Sequence, residues 1–271
     1  MVAETDTLSL APGVTFQDGH LADAVRDAAW PLNGSGAFVL ANLGLPVGQI
    51  VSTIADAFSL PIEAARGDVL RFVWYLNALA LVNVERKGPR VRRLADWILL
   101  AARLAPAGAV PAAAARRCAL DTRSVPRAVV SSLAAILSRV FAVAAVSAVV
   151  AVQFSAAVGA PGLVVPLALG LGTGVGLGLH EAAHVAALRG VPSALVMHGR
   201  RTYVLHAAVS PPRRTVVALA GPLAVSVLGV ALVLVGAVLA VPSLAIAGCP
   251  LAAHALALTV VGGDGRIACG L

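Results

Sequence analysis

Gly178-Leu179-His180-Glu181-Ala182-Ala183-His184 lies inside an apolar run that begins near Leu163. Two histidines four apart on a helix share a face and can bind one metal ion. Glu181, about 100° further round the helix, can reach a water on that ion without being a ligand. This is the H-E-x-x-H arrangement of zinc hydrolases. With 6 His and 4 Glu in 271 residues, about two chains per thousand of this composition would carry the motif by chance. The setting is membrane-type sequence, where ionisable side chains are costly and mark functional sites.

Composition fixes the class. The chain is 59% hydrophobic and 12% charged, with mean hydropathy +0.90, whereas a soluble protein carries about 25% charged residues. The expected architecture is a multi-pass α-helical membrane protein, with about four spanning helices, carrying an N-terminal α+β soluble domain. The net charge of +7 hides a strong asymmetry. Residues 1–85 hold nine acids and three bases, residues 86–121 eight bases and two acids, and the remainder nine arginines with only Glu181 and Asp264. The arginines flank apolar runs, as positive-inside topology requires. The −6 charge of the first segment disfavours nucleic acid as a partner. Cys118, Cys249 and Cys269 have no C-x-x-C spacing and imply neither a disulfide framework nor a cysteine metal site. The acidic N-terminus is not followed by an apolar core, so no signal peptide is expected.

Residues 1–86 read as the soluble domain. Thr7–Leu10 and Val14–Gln17 flank a Pro-Gly turn, and Ala24–Ala28 is a candidate third strand. Ser35–Leu43, Val47–Phe58 and Ile62–Val82 show helical spacing, with Pro46 and Pro61 placed as helix starts. Val69, Phe72, Val73, Leu76 and Leu79 form the core stripe of the last helix.

Ala11-Pro12-Gly13-Val14, Pro31-Leu32-Asn33, Gly67-Asp68-Val69-Leu70-Arg71-Phe72 and the stretch from Leu76 to Glu85 resemble the family of coenzyme-PQQ synthesis protein D over roughly residues 6–86. The resemblance implies a winged-helix-like peptide-recognition domain from pathways for ribosomally made, modified peptides. There the leader of a precursor peptide adds as a strand to a sheet edge and packs against the third helix, a case of β-augmentation. The competing reading is a winged-helix fold used only for docking.

Residues 87–127 form a basic connector. Arg86, Lys87, Arg90, Arg92 and Arg93 precede Leu94, Trp97, Ile98, Ala101 and Leu104 at i, i+3, i+4, i+7 spacing. That pattern fits an amphipathic helix on an anionic leaflet or an ordinary helix packed on the N-terminal domain. Within residues 128–271 the candidate spans are Val140–Gly159, Leu163–Leu188, Thr215–Ala240 and Ser243–Val261, measured against the ~20 residues a bilayer requires. Arg139 is expected to snorkel from the start of the first. Five arginines lie in 189–214 and Arg266 follows the last span. The N-terminal domain, that loop and the C-terminus are therefore expected in the cytoplasm of a cell-membrane protein.

A catalytic zinc takes three protein ligands and one open position. His180 and His184 supply two, and Asp264, the other carboxylate of the membrane half, is the best third because antiparallel threading returns it to the same level. Gly170, Gly172, Gly174, Gly176 and Gly178 fit no phosphate loop and read as small faces that let helices approach. Ala194–Met197 and Thr202–His206 read as a hairpin whose edge can hold an extended peptide. His198, His206 and His254 read as packing or substrate-contact residues sooner than as further ligands.

His180-Glu181-Ala182-Ala183-His184, Ala220-Gly221-Pro222-Leu223-Ala224 and Asp264-Gly265 together resemble the site-2 protease family of intramembrane zinc proteases over about residues 163–266. The resemblance implies His180, His184 and Asp264 as Zn²⁺ ligands and Glu181 as general base. Val225 stands where the family commonly has Asn, and Ser226 is the candidate substitute for orienting substrate or oxyanion. The expected function is a membrane-embedded zinc endopeptidase that captures a precursor or leader peptide and cuts it near the cytoplasmic face during maturation. Its rivals are a regulatory protease cutting a membrane-anchored regulator, and an inactive peptide-binding membrane scaffold.

Overall fold

The computed structural model describes residues 2–86, 114–157, 162–198 and 201–258. Among the described residues the chain divides into two compact units: residues 2–86, 114–119, 192–198 and 201–207 form one, and residues 120–157, 162–191 and 208–258 the other.

The first unit opens with β1 (Thr7–Leu10) and β2 (Val14–Gln17). Pro12 and Gly13 turn the chain between them, with Gly13 at φ +79° and the Val14 N–H donating to the Ala11 carbonyl at 2.9 Å. That left-handed conformation is why glycine stands there. Next come β3 (His20–Asp23) and β4 (Ala28–Pro31). The strand expected at Ala24–Ala28 is thus the turn between two strands. Asp23 caps that turn through the Val25 N–H at 2.9 Å, and Asp27 takes φ +52°. No glycine or proline marks the reversal, so alternation alone misplaced it.

Three helices follow: α1 (Gly34–Ala41), capped by the Asn33 side chain on the Gly36 N–H, α2 (Val47–Ala57) after Pro46, and α3 (Ile62–Ala78) after Pro61. The core stripe holds, with Val69, Val73 and Leu76 buried and Phe72 and Leu79 packed against the same cluster. α3 stops short of the expected Val82. The Ala80 N–H bonds the Asn77 carbonyl and the Leu81 N–H the Leu76 carbonyl, with Ala80 at φ +55°. This is a Schellman ending built without its usual glycine, so nothing in the residue types announced it. The chain then runs into β5 (Val82–Glu85), antiparallel to β1. The sheet β2-β3-β4 is a meander with β2 and β4 at its edges. These elements make a small β-rich domain with three helices.

The unit also contains β6 (Arg116–Ala119), β7 (Ser193–His198) and β8 (Arg201–His206), an antiparallel sheet with β7 central. The hairpin stands where its sequence pattern placed it, with Ser193 opposite His206 and His198 opposite Arg201. β6 was not anticipated, because its Arg-Arg-Cys-Ala sequence has no apolar alternation. The N-terminal domain grips it with two asparagines. Asn77 accepts from the Ala115 N–H at 2.7 Å and donates to the Ala115 carbonyl at 2.8 Å. Asn83 does the same to Arg117, at 2.8 and 2.9 Å. Each amide stands in for a neighbouring strand's peptide group, since residues two apart present their backbone groups to the same side. Arg117 and Asp23 then close a bidentate pair at 2.8 Å with both side chains fully buried.

The second unit holds α4 (Val125–Ala157), α5 (Val164–Ala187), α6 (Pro211–Val238) and α7 (Pro242–Ala252), the last tightening into a 3₁₀ turn over Ala253–Leu258. Among the described residues, α4, α5 and α6 are long and apolar enough to cross a membrane, whereas Pro242–Leu258 is shorter. This points to a membrane protein. α4 begins 15 residues before the expected Val140. Its first turns carry Ser131, Ser132 and Arg127, which lower hydropathy without breaking a helix. Arg139 therefore sits inside the helix and is 5% exposed, so it does not snorkel from a helix start. The expected fourth span is described as helix and 3₁₀ turn through Leu258, and residues 259–261 lie outside the described residues. So does the amphipathic segment from Leu94 to Leu104.

Candidate functional site

α5 is the helix around which the second unit is organised, and its glycines explain how. Residues two apart lie about 200° round a helix, so alternating glycines give two opposed smooth faces. A Cβ on Gly170 would lie 2.6 Å from the Ala144 carbonyl oxygen and one on Gly174 2.7 Å from that of Val140, so this face receives α4. Gly172 meets the Ala247 carbonyl and Pro250, and a Cβ on Gly176 would lie 2.8 Å from His254 Cε1, so the other face receives α7 and the 3₁₀ turn. The expected small-residue packing is what the glycines do.

One turn on, the same helix presents ionisable groups. His184 is 8% exposed, and its Nδ1–H donates to the Val217 carbonyl at 2.6 Å. A carbonyl can only accept, so the neutral ring keeps its lone pair on Nε2. The ring reaches α6 because Gly221 has no side chain: a Cβ there would fall 2.5 Å from Nε2. His180 Nε2 lies 3.0 Å from His184 Nε2, with the rings edge to face. That is the separation of a ring–ring hydrogen bond, and it is shorter than the about 3.3 Å between two nitrogens on one tetrahedral zinc at Zn–N of about 2.0–2.1 Å. Glu181 is buried beside them and interacts electrostatically with Arg139 of α4.

The remaining expected site residues divide. Asp264 lies outside the described residues. Ser226 is 8% exposed on α6, and its hydroxyl has no hydrogen-bond partner among the described residues. Val225, where the resembled family carries Asn, is 1% exposed and simply packed. His198 and His206 belong to the other unit, at opposite ends of the hairpin, and His206 Nδ1 donates to the Ala207 carbonyl at 2.7 Å. Among the described residues no three His, Cys, Asp or Glu side chains converge on one point. His254 is the residue the sequence undersold. Its ring lies 5.4 Å from that of His180, and the Gly172-Gly176-His180 spacing was the available signal of a neighbour pressed on that face.

The first unit offers a second candidate site. β4 is an edge strand whose outer side is unpaired among the described residues. A cleft of about 640 Å³ opens at the N-terminus of α1, where Asn33 and Asp68 sit among Val39, Phe58, Leu60 and Phe72. An open strand edge can take up an extended peptide, and an apolar cleft with few polar groups can take side chains. Residues 20–82 match the family model of coenzyme PQQ synthesis protein D. The stretch is a PqqD-like domain. The match runs from β3 to the first residue of β5 and supports a peptide-recognition element. No curated protein and no solved structure matches the chain.

Proposed function

We propose that the protein is a membrane-embedded zinc metalloendopeptidase that captures a precursor peptide on its PqqD-like domain and hydrolyses it in the maturation of a ribosomally made modified peptide. The observation that carries this reading is the convergence of His180 Nε2 and His184 Nε2 at 3.0 Å, on a membrane-type helix with Glu181 beside them. The cradle that Gly221 leaves for the His184 ring supports it.

His180, His184 and Asp264 would hold the metal, Asp264 by resemblance to the site-2 protease motif. Zinc bound there supplies Lewis acidity to a water molecule and to a carbonyl oxygen. Glu181 takes the proton of the attacking water and returns it to the leaving amine, so that one water is added across the peptide C–N bond. Arg139 gives that carboxylate a buried countercharge. Ser226 offers a hydroxyl to the substrate carbonyl, and His198 and His206 contact peptide laid along the hairpin. The winged-helix-like domain takes the leader on the β4 edge against α3. Tethering capture to cleavage raises the local concentration of the scissile bond. The segment after Pro242 completes a fourth span, and the arginine-rich 189–214 loop, the N-terminal domain and the C-terminus face the cytoplasm.

The test is purified full-length protein assayed for zinc by elemental analysis, then incubated with candidate precursors and mass-mapped. Zinc near one per chain, with cleavage by wild type and none by Glu181→Gln, is the expected result. Zinc with no cleavage of any precursor would leave a peptide-binding scaffold. Cleavage of leaderless membrane segments would make it a regulatory protease.

A further inference from the structure

Gly172, Gly176 and His180 form one stripe on α5, and Pro250 and His254 lie along it from the opposite side. His254 is itself fixed. At the point where α7 tightens into the 3₁₀ turn, its Nδ1–H donates to the Pro250 carbonyl at 2.9 Å. A helical side chain covers the turn N-terminal to its own Cα, so the His180 ring lies over the turn of Gly176. Glycine leaves that turn without a wall, and the ring of His254 occupies the space, with its Cε1 only 2.8 Å from where a Gly176 Cβ would stand. His180 is therefore flanked by two anchored rings. His184 lies edge to face at 4.7 Å, held by Val217, and His254 lies tilted at 5.4 Å, held by Pro250.

We propose that His254 is a positioning residue for the ion site: its ring is the wall that keeps His180 in the rotamer that meets His184. This rests on the reading of His180 and His184 as metal ligands. A shape role and a nitrogen role make different demands. A wall needs a planar ring of the right size, whereas a ligand needs a lone pair.

The experiment is zinc affinity by chelator competition on full-length protein in detergent, with the visible spectrum of the cobalt-substituted protein and the melting temperature of the metal-free form. His254→Ala is expected to weaken zinc binding by about 10- to 100-fold, the range for residues that orient a ligand, and to alter the cobalt bands. His254→Phe, which loses the bond to Pro250 but keeps a planar ring in the space that Gly176 leaves, is expected to stay within about threefold of wild type, short of that range. Metal-free melting should be the same for all three. Wild-type affinity in His254→Ala overturns the proposal, as does a His254→Phe loss as large as that of His254→Ala. Wild-type protein that binds no zinc overturns the metal-site reading itself, and the proposal with it.

Discussion

His184 is held from two sides, by the Val217 carbonyl on Nδ1 and by the missing side chain of Gly221 beside Nε2. The second is the more exacting, because the new methyl of Gly221→Ala would occupy the space of the ring at 2.5 Å. That variant is expected to lose about 10- to 100-fold in zinc affinity, as when a ligand's support is removed, with its melting temperature the measure of whether α6 still packs. Arg139 makes a separate demand. It lies buried in α4, where Glu181 attracts it electrostatically, and removing one of two opposite buried charges destabilises because the other stays behind. Arg139→Leu should melt well below wild type, and Arg139→Leu with Glu181→Leu should recover most of the loss. Additive losses in that cycle would show that the two charges are not partners. At this scale the motif histidines and Glu181 were legible because their spacing is fixed by helix geometry. His254 was not, because its role depends on which face of a neighbouring helix is smooth.

At the scale of elements, the decisive contact joins β6 to the turn after β3. Burial pushes the Asp23 carboxyl up, but the Arg117 guanidinium, the Val25 amide and Arg26 outweigh it and hold it below the ordinary carboxylate range. A depressed folded value means stability that is complete above the unfolded pKa of about 3.9 and is lost as pH falls through the lower folded one. The melting advantage of wild type over Asp23→Asn should therefore be constant from neutral pH down to about 4 and shrink below it. Arg117→Met at neutral pH should cost less than the about 3–5 kcal/mol of an unpaired buried charge, because Arg26 still pairs with Asp23 at 2.9 Å. Strands β1 and β2 were readable because a Pro-Gly turn separates them. The end of α3 and the start of α4 were not. One is a left-handed alanine, the other a run of serines and arginines that a helix tolerates and a hydropathy window rejects.

For the whole molecule, the PqqD-like domain and the apolar helices make separable predictions. Gly34 lines the cleft beside α1, and a Cβ there meets nothing within 4 Å. Gly34→Trp should therefore fold normally, fill the cleft and weaken leader-peptide binding by at least about tenfold, the scale of one buried aromatic contact. Calorimetry with leader peptide reads the effect, and zinc content should be unchanged. Unaltered peptide affinity would place recognition elsewhere on the domain. An N-terminal domain ahead of long apolar helices followed from charge and hydropathy, but the partnership of β6, β7 and β8 with that domain did not. Asparagine amides bind the backbone of Ala115 and Arg117, and the hairpin joins by pairing with β6 and by packing Val196 with Ala80 and Ala115, none of which residue type announces.

Those two amides have a practical bearing on how such a protein is taken apart or recombined. Excision at the foot of β5 would strip Ala115 and Arg117 of their partners and leave the Asp23 carboxylate of the excised piece without its guanidinium. The first unit is thus a cassette written in three separated passages of the gene. A chimera that moves only the first passage to another scaffold would carry off the asparagines and leave behind the strand they grip.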